Sequence, residues 1–395
     1  MTDVLITQYQ GALLLLSGSS AFMLMLLSLR LISLRSSKLT TKGNPQEEKW
    51  HKPEYLTIAE TITESKDIKS FRLIRSTSDQ PFPTYKGGQF LSFRLPHVND
   101  AKTVRSYSIS SPTMATDPYS LYISVKRIPG GVGSEWFHQA KVGEKILAYP
   151  PSGHFVDNYP CDLTRIYIAG GVGITPFISM LADSLSYPRY CDINLFYGSR
   201  KYEDLAFHDH LCLLEKRHQR FSYFPILSST TQNHPSIDKG RITLEYITQK
   251  TSLSSWDHAV FFFCGPPAMS ESIMELLKKR GVSEERMIYE KFISPTLLDP
   301  STFDPVQTQV KFMGKEYLYN GKDNILSFLE DQGEVIPYAC RSGVCGSCRL
   351  LIEGSYKALT DSGLTPHQRR KGWALSCVSY PKGGPLSIKS EENNE

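Results

Sequence analysis

Pro337-Tyr-Ala-Cys-Arg-Ser-Gly-Val-Cys-Gly-Ser-Cys348 is the most informative stretch of the 395-residue sequence. Its three cysteines have the spacing C-x4-C-x2-C, and a fourth, Cys377, follows further along the chain. Four thiolates with this spacing are typical ligands of a [2Fe–2S] cluster. A structural zinc site is the alternative, but zinc usually takes paired short spacings. The sequence therefore predicts an iron–sulfur cluster bound by Cys340, Cys345, Cys348 and Cys377.

A second glycine-rich stretch, Ile166-Tyr-Ile-Ala-Gly-Gly-Val-Gly-Ile-Thr-Pro-Phe177, predicts a strand, a tight turn and the start of a helix. Glycines in such a turn let a pyrophosphate approach the backbone, and the helix N-terminus offers N–H groups. Phe263-Cys-Gly-Pro-Pro-Ala-Met269 lies at the end of a later predicted strand. Because ligands of parallel sheets bind at the carboxyl ends of strands, both stretches are expected to border one crevice. The residues predicted to line it are Gly170, Gly171, Gly173, Cys264, Gly265 and Pro266.

Two further patterns lie upstream. Arg105-Ser-Tyr-Ser108 alternates along a predicted strand, so that Arg105 and Tyr107 share one face. A cation beside an aromatic ring can hold a phosphate and cover a flat ring, although many ordinary strands carry the same tetrapeptide. Gly130-Gly-Val-Gly-Ser134 precedes a predicted helix with Ser134 as its N-cap. A second anion site is therefore predicted at Gly131, Val132, Gly133 and Ser134.

In chain order the patterns are R-x-Y-S, G-G-V-G-S, G-G-V-G-I-T-P and C-G-P-P-x-M, followed by the cysteine loop. This order resembles the ferredoxin–NADP reductase superfamily with a plant-type ferredoxin domain fused behind it, as in oxygenase reductase components and hybrid-cluster-protein reductases. The resemblance covers about residues 53–385. It implies that residues 105–108 (Arg105, Ser106, Tyr107 and Ser108) hold a flavin, whose phosphates lie on residues 131–134.

The same resemblance implies roles near the nicotinamide. Gly171, Thr175 and Cys264 would bind the nicotinamide nucleotide, although Cys264 can also be interpreted as an inert core thiol. Glu290 and Phe292 match an E-x-aromatic element that lies beside the isoalloxazine in the family, with an ordinary strand end as the alternative. Cys264 and Glu290 are accordingly the predicted catalytic residues.

The composition excludes several other classes of protein. Hydrophobic residues make up 40% of the chain and charged residues 21%, and the net charge is +4. These values exclude a disordered chain, a polytopic membrane protein and a strongly basic nucleic-acid binder, so no nucleic-acid partner is expected. Cys161, Cys191 and Cys212 have no ligand-like neighbours, and each is expected to be a buried, inert thiol.

The N-terminal segment reads GALLLLSGSSAFMLMLLSL from Gly11 to Leu29. At 1.5 Å per residue this run nearly matches a hydrocarbon core of about 30 Å. Basic residues begin at Arg30, and the positive-inside rule places that flank in the cytoplasm. A cleaved signal peptide or a buried helix is the alternative. The prediction is a single-pass membrane protein with its soluble domains on the cytoplasmic side.

The predicted chain is therefore multidomain. A transmembrane helix (1–35) and a tether (36–52) precede an antiparallel β-barrel that binds FAD (53–155). An α/β parallel-sheet domain that binds NAD(P) (156–293), a linker (294–305) and an α+β ferredoxin domain of the β-grasp type (306–395) follow. A strand is expected at residues 119–125 and a helix at residues 270–280.

The predicted cofactors have complementary electron chemistry. A nicotinamide gives up two electrons together, whereas a [2Fe–2S] cluster accepts one at a time, so a flavin must mediate between them. FAD is favoured over FMN because the turn at residues 130–134 offers an additional phosphate site. Arg200 and Arg241 are candidate contacts of a 2′-phosphate, but Ser228-Ser-Thr230 lacks an arginine that is common in NADPH-preferring relatives. NADH is therefore slightly favoured over NADPH.

The external acceptor is the least determined part of the prediction. A membrane-bound oxygenase or desaturase is expected first, because the N-terminal segment predicts a membrane anchor and the ferredoxin domain is near neutral. The acidic residues of this domain are balanced by basic ones, which are Lys311, Lys315, Arg341, Arg349, Lys357, Arg369, Arg370 and Lys371. The alternatives are a hybrid-cluster-protein-type reductase, a reductase of quinone or ferric chelates, and a membrane-tethered redox sensor.

Overall fold

The computed structural model describes residues 50, 52–96, 104–111, 117–186, 191–229, 234–251, 256–292 and 306–389. The predicted anchor (1–35), most of the tether and the predicted linker (294–305) lie outside these residues. Within the described ranges, no helix is long and apolar enough to cross a membrane. Three sheets follow one another along the chain.

The first sheet is antiparallel and has the strand order β4-β3-β6-β1-β2-β5. A bridge between Ile109 and Ile123 joins the two edge strands, and the side chains enclosed by the sheet, such as Phe71 and Phe137, are fully buried. The strand predicted at residues 119–125 lies one residue later. The elements are β1 (Glu54–Thr63), β2 (Ile68–Arg75), β3 (Phe90–Arg94), β4 (Val104–Ser108), β5 (Ser120–Lys126), α1 (Val132–Gln139) and β6 (Lys145–Ala148).

The second sheet is parallel, with the strand order β10-β9-β8-β7-β11-β12. Its strands are β7 (Thr164–Gly170), β8 (Ile193–Ser199), β9 (Phe221–Leu227), β10 (Asp238–Lys239), β11 (Ala259–Cys264) and β12 (Met287–Glu290). Its helices are α2 (Thr175–Ser186), α3 (His208–Arg217), α4 (Leu244–Lys250) and α5 (Pro267–Lys279).

Helices cover both faces of this parallel sheet. Side chains of α2 and α3 pack on one face, and those of α4 and α5 pack on the other. Every residue of β11 is buried for this reason. Helix α5 begins three residues before its predicted start, because Pro267 occupies the first helical turn, where its missing N–H costs nothing.

The first two sheets share packing at their junction. Ile68 of β2 and Phe155 lie in the same apolar core as Phe177 of α2. Arg165 of β7 is 0% exposed and pairs with Asp157, with Nε 2.9 Å from Oδ2. Its other N–H groups donate to the carbonyl oxygens of Tyr159, Pro160 and Leu163. This arginine therefore holds the segment that connects the first sheet to the second.

The third sheet is mixed and has the strand order β14-β13-β17-β15-β16. Strands β13 and β17 are parallel, and the other neighbours are antiparallel. Helix α6 buries five consecutive residues, Ile325 to Leu329, in the core of this unit. The elements are β13 (Thr308–Phe312), β14 (Lys315–Tyr319), α6 (Ile325–Asp331), β15 (Arg349–Ala358), α7 (Pro366–Arg370), β16 (Trp373–Leu375) and β17 (Ser379–Lys389).

The three predicted types of sheet are confirmed, but one expectation about the cysteines is wrong. Cys191 is buried as expected, whereas Cys161 is exposed and Cys212 is partly exposed. Cys161 lies in the surface turn just before β7, where hydrogen-bonded backbone rather than apolar packing holds the chain.

Candidate redox centre

The four cysteines of the predicted cluster site come together in the third sheet's unit. Cys340, Cys345 and Cys348 lie on the loop before β15, and Cys377 lies in a short helical turn, Ser376–Val378, between β16 and β17. The hydroxyl of Ser376 donates to the carbonyl oxygen of Cys348 at 2.8 Å, which joins the two segments. All four thiols are between 1% and 5% exposed.

The thiols form two pairs. The electrostatic interactions are strongest between Cys340 and Cys345 and between Cys348 and Cys377, and all four thiols are close enough to affect one another. Two pairs of thiols suit two iron atoms that share four thiolates. The donor set therefore fits a [2Fe–2S] cluster better than the zinc alternative.

Backbone N–H groups of the loop point at the sulfur atoms. Those of Ser342 and Cys345 donate to Sγ of Cys340 at 3.4 and 3.3 Å, and that of Ser347 donates to Sγ of Cys345 at 3.4 Å. Gly343 and Gly346 both have φ of +75°, which ordinary residues adopt only with strain. The turn that the sequence predicts around the cluster therefore depends on these glycines, and its N–H groups stabilise negative charge on sulfur.

The same loop packs against the first sheet. Cys340 and Cys345 form one buried apolar cluster with Phe90, Val104 and Tyr149. The rings of Tyr149 and Tyr338 have centroids 6.0 Å apart. Burial, together with the neighbouring Tyr338, raises the pKa of Tyr149 to about 12, so its hydroxyl is neutral at physiological pH.

The two predicted flavin patterns meet in the first sheet. A β-carbon built on Gly133 would lie 2.6 Å from Oη of Tyr107 and 2.8 Å from Cγ of Arg105. The two side chains thus share a face, as the alternation predicts. Ser106 points to the other side, where its hydroxyl lies 2.9 Å from that of Ser92, and Ser108 is buried. Burial raises the pKa of Tyr107, and the adjacent Arg105 opposes this shift.

The prediction that Ser134 is a helix N-cap is wrong. Helix α1 begins at Val132, so the cap is Gly131, which makes no side-chain capping bond. Ser134 lies in the first turn, where its hydroxyl accepts from the N–H of Ile128 and lies 3.1 Å from the carbonyl oxygen of Gly131. The helix therefore starts with N–H groups that no side chain caps, an arrangement that suits a phosphate group.

The two predicted nucleotide patterns are in direct contact. A β-carbon on Gly173 would lie 2.1 Å from the carbonyl oxygen of Cys264, and one on Gly170 would lie 2.5 Å from Cδ of Pro266. Gly265 packs against the backbone of Gly170 in the same way. Gly171 has φ of +56° and open space around its β-carbon position. Because only hydrogen atoms fit between the two turns, glycine is required there.

Thr175 and Arg200 lie at different places along the carboxyl ends of the strands of the parallel sheet. Thr175 begins α2 and is buried, and its hydroxyl donates to the carbonyl oxygen of Val172 at 3.0 Å. Arg200 directly follows β8 and is exposed, and its carbonyl oxygen accepts from the N–H of Ser229. Arg241 is exposed after β10. Arg200 therefore lies just beyond the carboxyl end of β8, Arg241 follows β10, and both side chains are exposed.

The predicted catalytic residues lie side by side. Cys264 and Glu290 are register partners on the neighbouring strands β11 and β12. Cys264 is fully buried, and burial together with the charge of Glu290 raises its pKa. Burial raises the pKa of Glu290 to about 8, with a further contribution from the nearby Cys340. Phe292 is 49% exposed. Cys264 and Glu290 thus lie side by side at the carboxyl ends of β11 and β12.

Three known domain families match consecutive regions of the chain. The oxidoreductase FAD-binding domain family matches residues 55–156, the oxidoreductase NAD-binding domain family matches residues 167–275, and the 2Fe-2S iron-sulfur cluster binding domain family matches residues 312–382. The chain is an oxidoreductase that binds FAD, NAD and a [2Fe–2S] cluster. The types of cofactor predicted from the sequence are therefore confirmed.

Relatives of the oxidoreductase with similar length include two oxygenase components. The glycine betaine monooxygenase reductase subunit of Chromohalobacter salexigens is 26% identical over 81% of this chain and 91% of its own length. The ferredoxin reductase component of 3-ketosteroid-9-alpha-monooxygenase of Rhodococcus rhodochrous is 25% identical over 85% of this chain and 96% of its own length.

The crystal structure of phthalate dioxygenase reductase has the same order of domains as this oxidoreductase. The superposition covers 88% of this chain and 100% of the chain of that reductase, with a TM-score of 0.56 and 22% sequence identity. The likeness establishes the shared fold of the three domains.

The contact between the oxidoreductase's cluster loop and its FAD domain was not predicted from the sequence. It is formed by Phe90, Tyr149, His154 and Tyr338. They belong to no recognisable motif, and their importance arises only from where the domains touch. The segment Tyr149-Pro-Pro-Ser-Gly-His154, rich in turn residues after β6, is the only signal that the sequence offers.

Proposed function

We propose that this oxidoreductase is the reductase component of an oxygenase system. It oxidises NADH or NADPH and delivers electrons to a separate protein. The observation that carries the proposal is the packing of Cys340 and Cys345 of the cluster loop against Phe90, Val104 and Tyr149 of the FAD domain, which places the cluster ligands next to the flavin-binding sheet. Bound FAD supplies the conversion from a two-electron donor to a one-electron carrier. Relatives named as monooxygenase reductase subunits support the assignment.

The chain's own residues have distinct roles in this proposal. The turn at Gly170–Gly173 and the N-terminus of α2 bind the pyrophosphate of the nicotinamide nucleotide. Arg105 and Tyr107 orient the flavin, and the uncapped start of α1 binds its phosphates. The buried Cys264 and the partly buried Glu290 limit access of water to the place where nicotinamide and flavin meet. The four cysteines hold the cluster.

Anaerobic addition of NADH tests the proposal directly. We expect the EPR signal of a reduced [2Fe–2S] cluster to appear in the wild-type protein and to be absent in Cys345→Ser, which should retain its flavin. Cys161→Ser, an exposed cysteine outside the cluster, is the matched control and should behave as wild type. A wild-type cluster that NADH does not reduce would contradict the proposed function, and a normal signal in Cys345→Ser would contradict the ligand assignment.

The coenzyme proposed is NADH. The support is the sequence Ser228-Ser-Thr230 after β9 and the relative from Escherichia coli named NADH oxidoreductase HCR, which is 26% identical over 76% of this chain and 87% of its own length. The kcat/KM ratio for the two coenzymes tests this proposal, and a large preference for NADPH would contradict it.

The proposed location is the membrane, with residues 1–35 as a single-pass anchor and the acceptor in the same membrane. The support is the apolar run Gly11–Leu29 with basic residues behind it. An anchor in the same membrane as the acceptor would raise the effective concentration of the reductase there. Deleting residues 1–35 should leave cytochrome c reduction intact and cripple electron delivery to the natural partner in membranes. Equal delivery by the truncated protein would contradict the proposal.

A further inference from the structure

The cluster loop has one side that an external protein cannot approach. Phe90 and Tyr149 of the FAD domain pack against Cys340 and Cys345, and a β-carbon on Gly346 would lie 2.7 Å from Nε2 of His154. This side of the loop is therefore occupied by residues of the same chain. An acceptor must reach the cluster from another direction.

The loop also packs against a thin segment, residues 360–363. Its N–H at Gly363 and its hydroxyl at Ser362 both donate to the carbonyl oxygen of Gly343, at 2.9 and 3.3 Å. Gly363 packs so closely on the loop that a β-carbon there would lie 2.8 Å from the carbonyl carbon of Val344. Because the segment is Thr-Asp-Ser-Gly, with only small side chains, it places little protein between solvent and the cluster loop.

Helix α7 follows this segment directly and is firmly held. Thr365 and Gln368 form a reciprocal capping box at its start. Arg369 of the helix pairs with Asp361 of the thin segment, with Nη1 2.9 Å from Oδ2. These interactions therefore fix α7 beside residues 360–363, which pack on the cluster loop.

This helix carries a concentrated positive charge. His367, Arg369, Arg370 and Lys371, which we call the basic surface, are all exposed. Among the described residues, Arg370 and Lys371 form no ion pair, and the nearby carboxylates already have cationic partners: Asp361 pairs with Arg369, and Glu284 pairs with Lys278. The charge of Arg370 and Lys371 is therefore available to a partner.

Three other cations of the same domain are neutralised within it. Arg341 pairs with Glu330 and lies over the ring of Tyr338. Lys315 pairs with Glu334, and Lys389 pairs with Glu353. Arg370 and Lys371, in contrast, place two adjacent cations without an ion pair among the described residues next to residues 360–363.

We propose that the basic surface docks the acceptor protein through an acidic patch on that protein. The inference rests on the proposed function and adds the chemistry of the partner's surface. Opposite charges speed the encounter and orient the partner over residues 360–363. Each NADH that is oxidised to NAD⁺ and a proton releases two electrons, so two molecules of a one-electron acceptor are reduced in turn.

The test uses the full chain in neutral detergent, with the double variant Arg370→Glu/Lys371→Glu. Lys382→Glu is the matched control, because Lys382 is an exposed cation of β17 that forms no ion pair among the described residues. The probes are cytochrome b5, a one-electron protein with an acidic surface, and cytochrome c, which has a basic surface. NADH-driven reduction of each is measured at several salt concentrations.

We expect the double variant to reduce cytochrome b5 with a kcat/KM lowered about tenfold or more at low salt. The difference should shrink towards 1 M salt, where the screening length falls to about 3 Å. Reduction of cytochrome c should become faster in the double variant, and Lys382→Glu should match wild type with both probes. Equal cytochrome b5 reduction by wild type and double variant would overturn the proposal, as would equal losses in the double variant and in Lys382→Glu.

Two further measurements distinguish a failure of the docking proposal from a failure of the proposed function. The rate at which NADH reduces the protein's own cluster, followed by stopped-flow absorbance, should be the same in wild type and double variant. A wild-type cluster that NADH cannot reduce would overturn the proposed function rather than the docking surface. If the cytochrome b5 defect appears only in phosphatidylserine vesicles and is absent in detergent, the basic surface binds lipid headgroups and the proposal is overturned.

Discussion

Gly346 of the ferredoxin domain and His154 of the FAD domain are in such close contact that a β-carbon on the glycine would lie 2.7 Å from Nε2 of the histidine. The same β-carbon would lie 2.8 Å from the carbonyl oxygen of Gly363. The cluster loop is therefore confined on two sides, by another domain and by residues 360–363. Residues that bind the cluster and residues that join the domains occupy one short segment.

Gly346→Ala should consequently disturb the cluster. The methyl group has no space, and φ of +75° is strained for alanine, so we expect a loss of bound iron and of the [2Fe–2S] absorbance. Gly333→Ala is the matched control, because Gly333 has φ of +83° and nothing within 4 Å of its β-carbon position. The control should lose only about 1 kcal/mol of stability and keep its iron. Full iron content in Gly346→Ala would contradict the prediction.

Gly133→Ala should reduce flavin content severalfold. Inside a helix, alanine is normally more stable than glycine by about 1 kcal/mol, so a loss of flavin would report the contact with Tyr107 and Arg105 rather than helix propensity. Gly143→Ala, with open space around its β-carbon position, is the control and should keep its flavin. The flavin released on denaturation, measured by absorbance and identified by mass spectrometry, is the readout. Equal flavin in both variants would show that Gly133 does not shape the flavin site.

Cys264→Ala should slow flavin reduction by NADH about tenfold with unchanged flavin content, because positioning of the reacting groups is sensitive to small displacements. Cys191→Ala is a close control, since both thiols are buried in the same apolar core and both variants remove one sulfur atom. Stopped-flow absorbance of the flavin measures the rate. If both variants reduce flavin at the wild-type rate, Cys264 has only a packing role.

Arg165→Ala should destabilise the protein by about 3–5 kcal/mol, because it removes the guanidinium that pairs with Asp157 in a buried site. Lys279→Ala provides the comparison. Lys279 and Glu275 form a helical pair whose side chains are 67% and 68% exposed, and such pairs contribute about 0.5 kcal/mol or less. Denaturant unfolding measures both changes. A loss at Arg165 as small as that at Lys279 would refute the buried-pair argument.

Glu64→Gln should stabilise the protein at neutral pH. Burial raises the pKa of Glu64 above its usual value of 4.5, and the hydroxyl of Ser70 opposes the shift only in part. A raised carboxyl pKa means that the folded state binds the proton more tightly than the unfolded state. The wild type therefore loses stability as pH rises from 4.5 through the folded pKa, whereas the glutamine variant does not. The difference in Tm should be positive at pH 7 and should vanish below pH 4.5, and a difference that is independent of pH would contradict this explanation.

Sequence patterns were most reliable where the physical signal is local. Alternation of apolar residues predicted the antiparallel sheet, and apolar strands between helices predicted the parallel one, because each pattern depends on residues within a few positions. The N-cap prediction at Ser134 failed by a few residues because Gly131, which has no side chain, begins the helix instead. The prediction for Cys161 failed because burial depends on which surface a loop faces.

The sequence alone determined the chemistry of this protein: four thiols at cluster spacing, glycine turns that suit phosphates, and three units in chain order. Those properties depend on short-range geometry, which the backbone and a few side chains settle within one segment. Only the tertiary structure decided that Cys264 and Glu290 lie side by side, that His154 and Tyr149 contact the cluster loop, and that Arg370 and Lys371 on α7 form no ion pair among the described residues. These relationships join residues far apart in the chain, and they arise from how buried surfaces pack and which ions pair, which no local pattern encodes.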